Sequence, residues 1–208
     1  MISAIEALER LRQGNQRYAS DVRSLDSLIS HTRRADLVTG QAPFAIVLGC
    51  SDSRVPAELV FDSGLGDLFV IRVAGNVVAP SQVGSVEFAA QRYGVRLVVV
   101  LGHTNCGAIR ATLEELRQPR GDQSPGLRSI VQRVSPSIET LLQTELAGDE
   151  DALMQHAVRA NVRASVNHLR HGSEIIERLV REEGLLVVGA EYSLETGVVD
   201  FFEGGQRS

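Results

Sequence analysis

Residues 97–110 read LVVVLGHTNCGAIR. Five apolar residues in succession, Leu97 to Leu101, suit a strand buried on both faces, and the glycine and polar residues behind them end it. Gly107 then leads into a helical stretch, Ala108 to Leu116, which predicts Cys106 at a helix N-terminus. A buried strand passing through a short polar turn into a helix is the repeating step of a parallel α/β sheet. Another apolar run, Phe44 to Gly49, stops at Cys50 and is followed by SDSRVP.

Further runs occur at Leu68 to Val73 (LFVIRV) and, after a long helical region, at Leu185 to Val188. Pro80-Ser81 opens a helix to about Tyr93, which Gly94 closes. Val198 to Phe202 comes after the fourth run and a short turn, a spacing that predicts a hairpin and an antiparallel edge strand. The expected fold is therefore α/β, with four parallel strands and an antiparallel edge strand flanked by helices. Residues 118–126 and 147–151 read as loops too short to be linkers, so residues 1–208 are read as one domain. Its first part, residues 1–38, reads as a helical arm. Ile2, Ile5, Leu8 and Leu11 form one stripe along it, and Val22, Leu25, Leu28 and Ile29 a second. The arm precedes every strand, so these stripes need cover elsewhere, and a partner subunit is a candidate.

Composition narrows the class. A chain of 208 residues with 43% hydrophobic and 23% charged residues suits one soluble α/β domain. A net charge of -5 and scattered basic residues argue against a nucleic-acid partner. No apolar run approaches the ~18 residues of a membrane span. The N-terminus lacks the basic-then-apolar pattern of a secretory leader, so a cytoplasmic location is expected. Two cysteines cannot form a disulfide framework, which leaves metal binding, catalysis or two inert buried thiols.

Cys50 and Cys106 both fall at the carboxyl ends of predicted parallel strands, the edge where open α/β sheets carry ligands. Two thiolates and the imidazole of His103 suit zinc. The His-x-x-Cys spacing lets one turn supply two ligands, and Cys50 supplies the third from the neighbouring strand. Three protein ligands leave a fourth position for water, as at catalytic zinc, with Asp52 the nearby oxygen that could fill it. A phosphatase loop needs more residues between cysteine and arginine than separate Cys50 from Arg54. A thioredoxin-type pair needs Cys-x-x-Cys, whereas these cysteines lie 56 positions apart.

CSDSRVP (50–56) followed by GHTNCGAI (102–109) resembles the two signature segments of the β-class carbonic anhydrases, and the likeness extends over residues 40–110 and the tail LLVVGAEYSLETGVV (185–199). The resemblance implies one Zn2+ per chain on Cys50, His103 and Cys106, with Asp52 and Arg54 as a catalytic dyad. It implies reversible hydration of carbon dioxide to bicarbonate and a proton. It also implies an obligate homodimer, possibly a dimer of dimers, whose N-terminal helices embrace the partner. Carbon dioxide offers little to grip, so the chemistry needs a hydroxide at neutral pH, which zinc supplies by acidifying its bound water. Asp52 would accept a hydrogen bond from that hydroxide, and Arg54 would keep Asp52 ionised and oriented.

By the same resemblance Gln41, Phe69, Phe88 and Gly107 line the substrate site, with Phe88 where a plant-like subgroup carries tyrosine. Arg72 and Tyr192 stand at two of three positions of a regulatory bicarbonate site whose third, a tryptophan, is Val47 here, so that regulation is not expected. A hydrolase of carbonyl sulfide or carbon disulfide fits the same scaffold. A non-catalytic zinc-binding scaffold protein is the rival from another class, but it would have no need of the Asp52–Arg54 pair.

Overall fold

The computed structural model describes residues 2–22, 31–119, 121 and 123–205, without the side chains of residues 31 and 32. In chain order the elements are α1 (Ala4–Ala19), α2 (His31–Asp36), β1 (Ala45–Gly49), α3 (Ala57–Val60), β2 (Leu68–Arg72), α4 (Pro80–Arg92), β3 (Leu97–His103), α5 (Gly107–Arg117), α6 (Pro125–Ile138), α7 (Glu150–His171), α8 (Glu174–Glu182), β4 (Leu186–Tyr192) and β5 (Val199–Glu203). One sheet has the order β2-β1-β3-β4-β5. Its first four strands are parallel, and β5 runs antiparallel to β4. The expected sheet is the one that forms.

All seven residues of β3 are buried, as its central place requires. Alternate residues point to opposite faces of a strand. Val47, Val99 and Leu101 therefore pack with Leu8, Leu11 and Phe61 on one side, while Ile46, Leu48, Val98 and Val100 pack with α4, α7 and α8 on the other. A third apolar cluster, from α5, α6 and α7, surrounds Cys50 and Cys106. Gly102 is what lets α7 close down on the sheet edge, because a Cβ there would sit 2.6 Å from Val162.

The structure corrects part of the reading of the N-terminal arm. Leu8 and Leu11 are buried in the core of their own chain, at 3% and 0% exposure, and need no partner. Ile2, Ile5 and Val22 are exposed. Leu25, Leu28 and Ile29 lie outside the described residues. The 147–151 segment is also more ordered than a loop. Asp149 accepts the Ala152 amide at 3.0 Å and caps α7, which starts at Glu150 with two acids in its first turn. Among the described residues no helix is long and apolar enough to cross a membrane.

Candidate active site

β1 ends at Gly49, so Cys50 is the first residue past the sheet edge. β3 runs two residues beyond its apolar core and delivers His103 to the same edge, paired in register with Tyr192. Asn105, at φ 55, turns the chain, and Cys106 becomes the N-cap of α5. Parallel strand ends thus gather Cys50, His103 and Cys106, all buried, with their ligand atoms within 4.8 Å of one another.

These atoms suit a tetrahedral metal. Two sulfurs each 2.3 Å from one ion would lie about 3.8 Å apart; Sγ of Cys50 and Sγ of Cys106 are separated by 3.9 Å. His103 donates from Nδ1 to the Thr104 carbonyl at 2.9 Å, which leaves Nε2 as the bare nitrogen. That Nε2 is fully buried and has no hydrogen-bond partner among the described residues. A buried unpaired nitrogen beside two thiols is a ligand set for a soft or borderline cation.

Backbone amides complete the surroundings of the sulfurs. The Cys106 thiol, then His103 and the amides of Asp52 and Gly75, hold the Cys50 thiol down at about 4 against burial. The same contact pushes the Cys106 thiol up, burial adding to it, while the amides of Ile109 and Ala108 oppose the shift. Alone, then, the pair sheds one proton readily and keeps the second. Two thiolates side by side call for a cation.

Beside this set, Asp52 is gripped by Arg54. Nε donates to Oδ1 at 2.9 Å, Nη2 to Oδ2 at 2.7 Å, and the Arg54 amide to Oδ1 at 3.0 Å. The Arg54 side chain thereby holds the Asp52 carboxyl well below the usual carboxylate range, against the opposing effect of burial. Oδ2 of Asp52 lies 3.8 Å from Nε2 of His103.

The other expected residues divide. Gly107 opens α5, and a Cβ there would meet nothing within 4 Å, so its backbone faces open space next to Cys106. Gln41, Phe69 and Phe88 gather instead around Tyr93. Gln41 donates to the Tyr93 hydroxyl at 3.0 Å, and the three rings sit 5.7–6.3 Å apart. Phe69 is in register with Ile46, four residues before Cys50, which at about 3.3 Å per residue is about 13 Å from the Cys50 edge. The fold does not bring this cluster to the metal ligands of its own chain.

Tyr93 escapes the sequence reading; its aromatic spacing to Phe88 on α4 is the available signal. Arg72 has another occupation than a regulatory anion. Its Nε donates to the Cys50 carbonyl at 3.1 Å and its Nη2 to the Asp52 carbonyl at 2.7 Å. Tyr192 pairs its hydroxyl with that of Tyr18 at 3.0 Å.

Comparison with known proteins agrees with this geometry. The carbonic anhydrase family pattern matches residues 45–199. The chain is 37% identical to carbonic anhydrase 2 of Mycobacterium tuberculosis, covering 93% of this chain and 90% of the relative. It is 39% identical to a carbonic anhydrase of Mycolicibacterium smegmatis, covering 94% and 92%. Among solved structures, the β-carbonic anhydrase CcaA superposes with a TM-score of 0.74 at 26% identity over 98% of this chain and 91% of the other. One of the tetrameric β-carbonic anhydrases of Sordaria macrospora gives 0.72 at 26% identity, over 81% and 85%. A strand-edge Cys/His/Cys set beside a locked Asp–Arg pair, on this sheet and with these relatives, places the chain among the β-carbonic anhydrases.

Proposed function

We propose that this protein catalyses the reversible hydration of carbon dioxide to bicarbonate and a proton, with zinc held by Cys50, His103 and Cys106. The observation that carries the reading is the buried ligand set, sulfurs 3.9 Å apart and the His103 Nε2 unpaired, flanked by a carboxylate that is not free to wander. Zinc in that set supplies a Lewis acid that makes water nucleophilic near neutral pH. The protein's own share is orientation. Asp52, kept ionised by Arg54, can only accept a hydrogen bond, so it fixes the proton of the attacking water and turns the oxygen lone pair towards carbon. Arg54 also reaches the Asn105 carbonyl at 3.4 Å, which ties the dyad to the turn that carries His103 and Cys106.

The protein acts, in this reading, as a homodimer or a dimer of dimers. Ile2, Ile5 and Val22 remain exposed on the N-terminal segment, and Phe88 is 51% exposed at the β2 side of the sheet. With the Gln41–Phe69–Phe88 group about 13 Å from its own Cys50 edge, any service it gives to a substrate pocket is to the pocket of a second copy.

Stopped-flow hydration of carbon dioxide by zinc-loaded protein is the test, with carbonyl sulfide and carbon disulfide offered in parallel. Rapid hydration that disappears in Asp52→Asn supports the reading. A zinc-replete protein inert towards carbon dioxide would leave the hydrolase or the scaffold reading in its place.

A further inference from the structure

Gly75 donates its N–H to Sγ of Cys50 at 3.4 Å. It belongs to a tight turn, Ala74–Asn76, in which two successive residues adopt left-handed backbone, φ 68 at Gly75 and φ 43 at Asn76. Glycine is required at position 75 by the sign of φ and by space, since a Cβ would lie 3.2 Å from the Cβ of Ala108. Two left-handed residues in a row, one of them an asparagine, persist only where the surroundings hold them.

Those surroundings are two side chains one turn apart on α7. Asn161 donates from Nδ2 to the Gly75 carbonyl at 2.8 Å, and Ser165 donates from Oγ to the Asn76 carbonyl at 3.1 Å. They are 2% and 5% exposed, in the interior of a 22-residue helix and far from the caps such residues favour. Their neighbours Val162 and Val166 fill the apolar core against the sheet. The helix thus turns an apolar row to the strands and a polar pair to the 74–76 turn.

We infer that Asn161, assisted by Ser165, is a positioning residue for the metal centre: by fixing the carbonyls of Gly75 and Asn76 it aims the Gly75 N–H at the Cys50 sulfur. The inference rests on the reading of Cys50 as a metal ligand. An N–H donor draws electron density from a metal-bound thiolate and restrains its direction, and outer partners of this kind change metal affinity by about 10–100-fold. Asn161 acts one step further out, through a backbone amide, so the low end of that range applies.

The test uses full-length parent, Asn161→Leu and Ser165→Ala, each checked for folding by circular dichroism. Each is loaded with Co2+ for the thiolate-to-metal charge-transfer band and with Zn2+ for the rate of loss to a chelator. The expected result is a band at longer wavelength in Asn161→Leu, because a thiolate without its N–H donor releases charge more easily, and zinc loss about tenfold faster. Ser165→Ala should shift both in the same direction by less. A folded Asn161→Leu with the parent's band and release rate overturns the inference. If Asn161→Leu does not fold, an unchanged Ser165→Ala overturns it equally. A parent without any thiolate band removes the metal reading itself, and this inference with it.

Discussion

Asp52 meets Arg54 through both carboxylate oxygens, at 2.9 and 2.7 Å, while its Oδ2 also lies 3.8 Å from Nε2 of His103. The carboxylate therefore has two possible engagements, with the guanidinium on one side and the metal position on the other. Arg54 holds it to the first. Changing Arg54 to alanine should lower kcat/KM about a hundredfold at equal zinc content, whereas a solvent-exposed ion pair contributes only ~1 kcal/mol or less. Lysine should rescue little, because it keeps the charge and loses the two-point grip. Superimposable pH–rate profiles for Arg54→Ala and parent would make Arg54 a bystander.

Asp52 should also leave no mark of its own on the parent's profile at moderate pH. Its folded pKa is depressed by Arg54, so the carboxylate is charged from below the usual range upward. By the same sign, its contribution to stability is present above the ordinary carboxylate pKa and fades only as pH falls through the depressed value. In Arg54→Ala the carboxyl should return towards ~4, adding an acid-side fall in activity that the parent lacks. The comparison is the acid limb of kcat/KM in the two proteins.

Metal content should be about one zinc per chain. Cys106→Ala or His103→Ala should lose most of it, since three ligands cannot spare one, while Asp52→Asn should keep it. Full retention of zinc in Cys106→Ala would show that the ligand set is wrong.

Much of this site is legible in the sequence because it rests on a topological rule. An apolar run such as Ala45–Gly49 announces a buried parallel strand, and the residue after such a strand lies at the ligand edge, which puts Cys50 and Cys106 together from topology alone. The end of β3 is less legible, because Gly102 and His103 carry no β signal and are held as strand only by pairing with Glu191 and Tyr192. Periodicity marks Leu8 and Leu11 as inward-facing but does not say which subunit covers them. The Gly75 amide has no signature at all: every residue but proline has an N–H, and only the turn's geometry aims this one at sulfur.

The burial of Leu8 and Leu11 changes how the dimer is tested. Deleting residues 1–35 would remove part of the chain's own core, and Leu11→Ala alone should cost about 2–5 kcal/mol, so unfolding after the deletion proves nothing about a partner. Ile5 is 68% exposed in the single chain, and Ile2 40%. The double change Ile2→Asp with Ile5→Asp should therefore leave the fold intact and shift the sedimentation profile towards monomer. A mutant that stays fully associated would exclude this stripe from the interface.

The last prediction concerns alkaline stability. Tyr192 is 4% exposed and shares a hydrogen bond with Tyr18, 3.0 Å between hydroxyl oxygens, which ties α1 to the end of β4. Burial first, and then the Tyr18 hydroxyl, push its pKa up to about 12 from 10. A raised folded pKa means that the folded state keeps a proton the unfolded chain has lost. The associated stability is fully present below pH 10 and disappears as pH rises from 10 to 12, with a limit on the order of 2–3 kcal/mol for two pKa units. The background is unusually clean, because all 21 basic residues are arginine and there is no lysine to titrate in that window. Urea unfolding of parent and Tyr192→Phe at pH 8, 10 and 11 provides the comparison. The mutant should be about 1 kcal/mol less stable at pH 8, from the lost hydrogen bond, and should lose less than the parent between pH 10 and 11. Parallel losses in the two proteins would mean that Tyr192 is not the group whose ionisation opens this corner of the fold.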